Sequence, residues 1–427
     1  MVHLRFFYDF ASAQDNGMTR GGALGRIPQM VTTCPSNTWF HSAISALSFA
    51  NFGGRLKSQE AKDAGVVFYN NALGRLARVM SDSGGAKIQT DQVLPGIFLL
   101  GIYEAMTSTS FDGTYATHQK GAISILKFLW DGRARKNRVD KPRYASVINM
   151  QVLMHCLSNA EPPPPFLADM ELHTTDNPSS ELAVLIYRTC ELRYRLVQLE
   201  LQQQSSVLDD TNLDEKEQRL DQLLREAMDL DTALEEWYQR TNGRDGWNVT
   251  HSIPVNPESR PRWARELFSH PGAPEQMLIY HTILAALTID LYRGTRLLLN
   301  LSILERARGN VDSPILDAQL VLYNESIAAS TAALIMELIT DLCMGVPSML
   351  QLTATGGTDD PQSIEEVYSL RGLLMLWPLV AAVVCLRNED VQKCDADGKR
   401  AWARCLLAFL KNSLGLAKAQ AFIAKDS

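Results

Sequence analysis

The chain has few of the residues that build a zinc or disulfide framework. Its 427 residues contain seven scattered cysteines, Cys34, Cys156, Cys190, Cys343, Cys385, Cys394 and Cys405. No two of them form a Cys-x-x-Cys pair, the spacing with which many structural zinc sites begin. An odd number of isolated cysteines in apolar surroundings is typical of reduced, buried thiols. The pattern excludes a cysteine-built zinc cluster in this sequence and favours a location in the nucleus or cytoplasm.

Sequence motifs of the common catalytic machines are also missing. The chain has no phosphate-binding glycine loop, no Gly-x-Ser-x-Gly and no His-Glu-x-x-His. None of its eight histidines stands three or four residues from another, the spacing that would place two ligands on one helical face. We therefore expect no metal and no cofactor.

Positive charge and long apolar runs are scarce as well. The formal net charge is −7, whereas nucleic-acid surfaces need clustered Lys and Arg, so we expect no direct sequence-specific DNA binding. The longest uncharged apolar run, residues 372–386, contains Pro378 and falls short of the roughly 20 residues of a membrane span. The first residues show no apolar run of signal-peptide length. We expect neither secretion nor a membrane partner.

Helical periodicity is what the sequence does contain. From residue 64 to residue 130 the pattern predicts three consecutive helices, the first with Tyr69, Leu73 and Leu76 on one face. Comparable patterns recur over residues 275–306, 317–343, 365–386 and 399–422. No strand-like alternation of useful length is present. The predicted fold class is all-α, a multi-helix bundle of antiparallel helix pairs.

Several local expectations accompany this class. Residues 4–13 predict a short helix that exposes its phenylalanines, and the glycine pair at 53–54 predicts the end of a helix that begins near Trp39. Residues 242–261 are rich in Gly, Asn and Pro and predict a loop. The helix after that loop is expected to begin near residue 275.

Four successive prolines, residues 162–165, fix a short extended stretch because proline locks φ and has no N–H donor. We interpret residues 1–427 as a single helical domain. Within it, sub-layers 1–160 and 180–427 are joined by the proline-rich segment 161–180.

Acidic charge is concentrated in one place. Residues 205–240 contain eleven Asp and Glu but four Lys and Arg, a net of −7 that equals the imbalance of the whole chain. Such charge is usually a solvated helix face, and the alternative is a surface that docks a basic partner.

Three short motifs in the first third of the chain carry a resemblance to a known family. They are Tyr69-x-x-Ala72-Leu73 followed by Leu76, then Leu99-Leu100-x-x-Tyr103-Glu104, then His118-x-x-Gly121-Ala122. In this order and spacing they are similar to the fungal-specific transcription factor domain, the regulatory region of fungal zinc-cluster transcription factors. The resemblance implies an all-helical fold, a nuclear location and a role in gene regulation. Family members normally begin with a six-cysteine, two-zinc cluster and a basic linker, and this sequence contains neither.

Candidate ligand-binding residues come from the aromatic and histidine side chains on or beside apolar helices. A bundle with many large, soft side chains can enclose a cavity for an apolar ligand. The candidates are His118, which matches the histidine of the third motif, with Trp130, Tyr280, His281 and Trp377.

Two functions fit these observations. The first is a transcription factor-like regulatory protein, linked to a metabolic gene cluster, that senses a hydrophobic metabolite or a protein partner without its own DNA-binding module. The second is a cofactor-free cyclase or isomerase that acts on a hydrophobic secondary-metabolite intermediate, where catalysis is largely positioning and pocket electrostatics. A scaffold that dimerises with a full-length factor is a third interpretation, and a homodimer is also compatible.

Overall fold

The three-dimensional structure is a computed structural model. It describes residues 1–11, 27–33, 35, 38–82, 90–109, 121–128, 130–131, 145–168, 177–205, 213–311 and 318–424.

Helices form nearly all of the first part of the described chain. They are α1 (Val2–Ala11), α2 (Ile27–Thr33), α3 (Trp39–Arg55), α4 (Gln59–Asp82), α5 (Thr90–Thr107) and α6 (Ala145–Asn159), and residues 121–128 are also helical. Residues 56–58 alone connect α3 to α4, so the chain reverses and the two helices pack side by side, with α5 against α3.

The second part adds longer helices and one small sheet. Its elements are α7 (Pro178–Ser205), α8 (Leu213–Asn242), β1 (Val249–Pro254), α9 (Arg262–Phe268), β2 (Gln276–Tyr280), α10 (Ile283–Val311), α11 (Ala318–Met349), α12 (Ser369–Cys385), α13 (Glu389–Cys394), α14 (Lys399–Leu414) and α15 (Ala419–Ala424). Short 3₁₀ turns lie at Pro257–Ser259, Gly357–Asp359 and Ile364–Glu366. Consecutive helices pair again, α7 with α8 and α10 with α11. The predicted all-α class is confirmed.

Helix α10 lies at the centre of this second part. It packs against α7, α8, α11 and α12, and every residue from 288 to 301 is buried. A helix that is buried on all sides is a core element. Its buried stretch nevertheless includes Asp290, Arg293 and Arg296, and buried charges persist only where they are paired and hydrogen-bonded. The candidate site develops from these residues.

The small sheet departs from the prediction. β1 and β2 pair antiparallel, with Val249 opposite Tyr280 and Ile253 opposite Met277, so the predicted loop over 242–261 contains a strand and α10 begins at Ile283 rather than near 275. The run Met277-Leu278-Ile279 is continuously apolar, and such a short run fits a strand as well as a buried helix. The prediction therefore assigned this run to a helix, whereas the structure places it in a strand.

One N-terminal expectation is also wrong. Phe6 and Phe10 of α1 are fully buried and stack with ring centroids 5.3 Å apart, so this helix anchors itself in the core rather than exposing these aromatic rings.

The predicted end of the next long helix agrees with the structure, because α3 begins at Trp39 and ends at Arg55, one residue after the glycine pair. A Cβ at Gly54 would lie 2.7 Å from the carbonyl oxygen of Gly415, so glycine there also serves the close approach of two backbones.

Arginines of the central helix α10 contact acidic side chains of α8. Arg296 of α10 forms ion pairs with Asp231 and Glu235, and Arg306 of α10 lies 3.6 Å from Asp221. Arginines of α10 therefore compensate part of the acidic excess of residues 205–240, although the side chains of Asp221 and Glu235 stay 49% and 37% exposed.

Among the described residues, one helix is long and apolar enough to cross a membrane by length and composition, Gln319–Met349, with a mean hydropathy of 1.6 in its most apolar window. Core helices of soluble proteins pass the same test, and 44% of that window is buried against the rest of the protein. The division into sub-layers 1–160 and 180–427 stays a prediction. Residues 169–176 of the joining segment lie outside the described residues.

Candidate functional site

The five sequence-predicted site residues lie in different surroundings. His118 falls outside the described residues. Trp130 is partly buried against the core, and His281 is exposed at the surface directly after β2. Tyr280, the last residue of β2, and Trp377, in α12, both reach helix α10, as the contacts below show.

Tyr280 is held by two charged residues of α10. Its hydroxyl accepts a hydrogen bond from Nη1 of Arg293 at 2.6 Å and faces Oδ1 of Asp290 at 3.4 Å. The same Arg293 nitrogen donates to Asp290 Oδ1 at 3.0 Å. These two residues are three positions apart, which places them on one helical face. The three groups form a closed triangle at the end of the sheet.

Asp341 of α11 brings a second carboxylate to Arg293. One of its carboxylate oxygens lies 3.7 Å from Nη2 of Arg293, so this single guanidinium joins α10 to α11. Burial alone would lower the pKa of Arg293, but Tyr280, Asp290 and Asp341 together raise it, so the arginine stays charged.

Two carboxyl groups thus share one cation. Burial raises the pKa of Asp290 to about 6, with Arg293 opposing the shift. Burial also raises the pKa of Asp341 and of the Tyr280 hydroxyl. One carboxyl group that ionises near neutral pH therefore lies beside a tyrosine that stays protonated.

Glycines make room for both predicted aromatic residues. A Cβ at Gly345 of α11 would lie 2.5 Å from the Tyr280 hydroxyl, and a Cβ at Gly294 of α10 would lie 2.4 Å from the Trp377 ring. Because Gly294 follows Arg293, the structure brings Trp377 to the same turn of α10 as the polar cluster. The Trp377 indole donates to Ser158 Oγ of α6 at 2.9 Å, which ties a third helix to this region.

A small enclosed cavity lies next to Asp290. Its other lining residues are Leu342, Cys343, Val346, Met375, Leu379 and Leu406, and its volume is about 10 Å³. That volume is about what one water molecule needs. The cavity is too small for a substrate, so in this conformation it cannot enclose an organic molecule.

A second constellation gathers two of the three sequence motifs. Tyr69 of α4 and Tyr103 of α5 stack with centroids 4.4 Å apart, and the Tyr69 hydroxyl donates to the carboxylate of Glu104. Burial raises the pKa of Glu104 to about 7, against the opposing effects of Tyr69 and Lys418. Burial lowers the pKa of Lys418 to about 8, with Glu104 opposing. Residues far apart in sequence thus form one buried acid-base group.

Sequence reasoning missed the charged members of the first cluster. Asp290 and Arg293 are charges inside an otherwise apolar helical window, and that contrast is a signal that could have marked them. Asp341 carries the same signal, because it and Glu337 are the charged residues of the apolar stretch 332–352, but its partner depends on how α11 packs against α10.

Comparison with known proteins identifies no relative: no family model, no curated protein and no solved structure matches the chain. The functional assignment therefore depends on the residues themselves.

Proposed function

We propose that the chain is a regulatory protein similar to the regulatory region of fungal zinc-cluster transcription factors. In this proposal it senses a hydrophobic metabolite or a protein partner and acts, in the nucleus or cytoplasm, on the expression of a metabolic gene cluster. The observation that carries the proposal is the meeting of Tyr69, Tyr103 and Glu104, because these residues belong to two of the motifs on which the resemblance depends. No direct DNA contact is proposed for the chain, whose formal net charge is −7.

The cluster around Arg293 supports a sensing role. It connects β2, α10 and α11 through one guanidinium. A ligand can shift these three elements relative to one another only if it binds one of their arrangements more tightly than another. In the proposal, ligand binding shifts α10 against α11, and this shift changes a surface that binds a protein partner.

Deletion of the coding sequence in the organism that encodes it tests this function. If the chain is a regulator, its deletion should alter the transcripts of a co-located set of metabolic genes, and no single pathway intermediate should accumulate. Expression of the intact chain should restore the transcripts, and a Tyr69→Phe, Glu104→Gln double variant should restore them less well. Unchanged transcripts would contradict the proposal.

The alternative is a cofactor-free cyclase or isomerase. It is favoured by one observation, the juxtaposition of Asp290, whose pKa is raised to about 6, with the protonated hydroxyl of Tyr280. A substrate would reach this pair only in a more open conformation, because the cavity beside Asp290 has a volume of about 10 Å³. A carboxyl that titrates near the working pH suits general acid-base catalysis.

The same deletion strain separates the two functions. If the chain is an enzyme, the strain should have normal transcripts and should accumulate one hydrophobic intermediate. The purified chain should convert that intermediate. Tyr280→Phe should then lower turnover while Tyr323→Phe, a change at an exposed tyrosine of α11, should not.

A further inference from the structure

A groove between helices α7 and α8 has the composition of a ligand site. It has a volume of about 430 Å³ and is lined on the α7 side by Tyr194, Arg195 and Gln198, and on the α8 side by Arg219, Gln222 and Glu226. Leu199 and Leu223 supply its apolar lining. The volume lies within the range of small-molecule sites, about 300 to 1,000 Å³.

The polar groups of the groove are arranged across it. Arg195 Nη2 lies 2.5 Å from Glu226 Oε2, so an ion pair bridges the two helices. Gln222 donates to the other oxygen of the same carboxylate at 3.3 Å. The lining thus includes two guanidinium groups and one carboxylate, an excess of one positive charge.

Charge is segregated around α8. The acidic side chains Asp221, Asp231 and Glu235 pair with arginines of α10, whereas Arg219 lies at the groove, on the side shared with α7. At this groove α8 therefore presents one cation, Arg219, beside one carboxylate, Glu226, and the second cation, Arg195, comes from α7. Two arginines from facing helices can bind one carboxylate with several N–H donors, which a lysine pair would do less specifically.

We propose that the α7–α8 groove binds an amphipathic organic carboxylate, with its head group at Arg195 and Arg219 and its apolar body along Leu199 and Leu223. This site is separate from the Tyr280 cluster and does not depend on the proposed regulatory function. Arg195 exchanges its contact with Glu226 for the ligand's carboxylate when the site is filled.

Isothermal titration calorimetry with decanoate tests the proposal. Decanol, which has the same chain length and no charge, is the matched ligand, and both are used below the concentrations at which they form micelles or separate. We expect decanoate to bind at least about tenfold more tightly than decanol, and more weakly as salt rises, because partly exposed charges are screened.

Variants locate the binding. The double variant Arg195→Gln, Arg219→Gln should lower decanoate affinity about tenfold and leave decanol unchanged. Arg225→Gln, an exposed arginine of α8 that does not line the groove, should change decanoate affinity less than about twofold. Melting temperatures of all variants confirm that they fold.

Three outcomes would overturn the proposal. They are equal affinity for decanoate and decanol, an equal loss in the Arg225→Gln protein, and no measurable binding of decanoate by the folded wild type. None of these bears on the transcript test of the proposed regulatory function.

Discussion

Arg293 and Arg296 lie one turn apart on α10 and are both buried, yet their carboxylate partners differ in electrostatic state. Around Arg293, burial raises the pKa of Asp290 to about 6. Around Arg296, burial also raises the pKa of Glu235, but hydrogen bonds from Gln239, Tyr292 and Arg296 outweigh it and leave that pKa lowered.

The difference follows from exposure and from the number of donors. The side chain of Asp290 is 5% exposed, whereas that of Glu235 is 37% exposed and keeps contact with water. Glu235 also accepts from the Tyr292 hydroxyl at 2.8 Å, while Asp290 faces a tyrosine at 3.4 Å. The Arg293 cluster thus holds a carboxylate that is costly to ionise, and the Arg296 cluster is a clamp for α8.

The largest expected effect is that of Arg293→Met. It leaves Asp290 and Tyr280 buried beside no cation, so the free energy of unfolding should fall by about 3 to 5 kcal/mol. Urea unfolding at neutral pH measures it. The matched control is Arg262→Met, at a side chain 91% exposed, which should change stability by less than about 0.5 kcal/mol. A loss as small as the control's would show that the cluster is not a buried charge network.

Arg296→Met should lower the free energy of unfolding less, by about 2 to 3 kcal/mol, because the carboxylates that lose this arginine retain partial contact with water. Arg296 holds Asp231 through two bonds of 2.7 and 2.8 Å, so the loss should also loosen α8. Hydrogen exchange across residues 213–242 should accelerate relative to α12. Uniform exchange in both helices would contradict the description of Arg296 as a clamp.

The helices were predictable because an amphipathic or wholly apolar helix shows its period in the sequence. The strand β2 was not, since Met277-Leu278-Ile279 is apolar at every position and only its pairing with β1 selects an extended backbone. Burial of Phe6 and Phe10 likewise depends on what the rest of the chain places over α1.

The candidate site was predictable in part. Tyr280 and Trp377 were selected as large aromatic side chains in apolar surroundings, and both reach one turn of α10. The acidic excess of α8 was interpreted as a solvated face, because a count of charges cannot reveal that Arg296, more than fifty residues later, lies against Asp231. Tertiary pairing of charges is not a property of sequence spacing.

A third prediction concerns pH. The pKa of Asp290 is raised from 3.8 to about 6 on folding, so between these values the folded state binds more protons than the unfolded state. Stability from this group is complete below pH 4 and is lost as the pH rises to about 6. Relative to Asp290→Asn, the wild type should lose about 1 to 3 kcal/mol over that interval. A parallel pH dependence of the two proteins would contradict the assigned pKa.

The smallest effect is expected for Tyr292→Phe. The Tyr292 hydroxyl donates to Glu235 at 2.8 Å and accepts from Arg296 at 2.8 Å, so the change removes one side of the clamp and leaves the ion pairs. Stability should fall by about 1 kcal/mol. The pKa of Glu235 should rise toward its ordinary value, because one of the donors that lower it is gone. Carboxyl NMR titration measures that shift, and Tyr323→Phe, at an exposed tyrosine, is the control. If the pKa of Glu235 stayed the same, Gln239 and Arg296 would determine the state of this carboxylate, and the contrast between the two clusters would not depend on the Tyr292 hydroxyl.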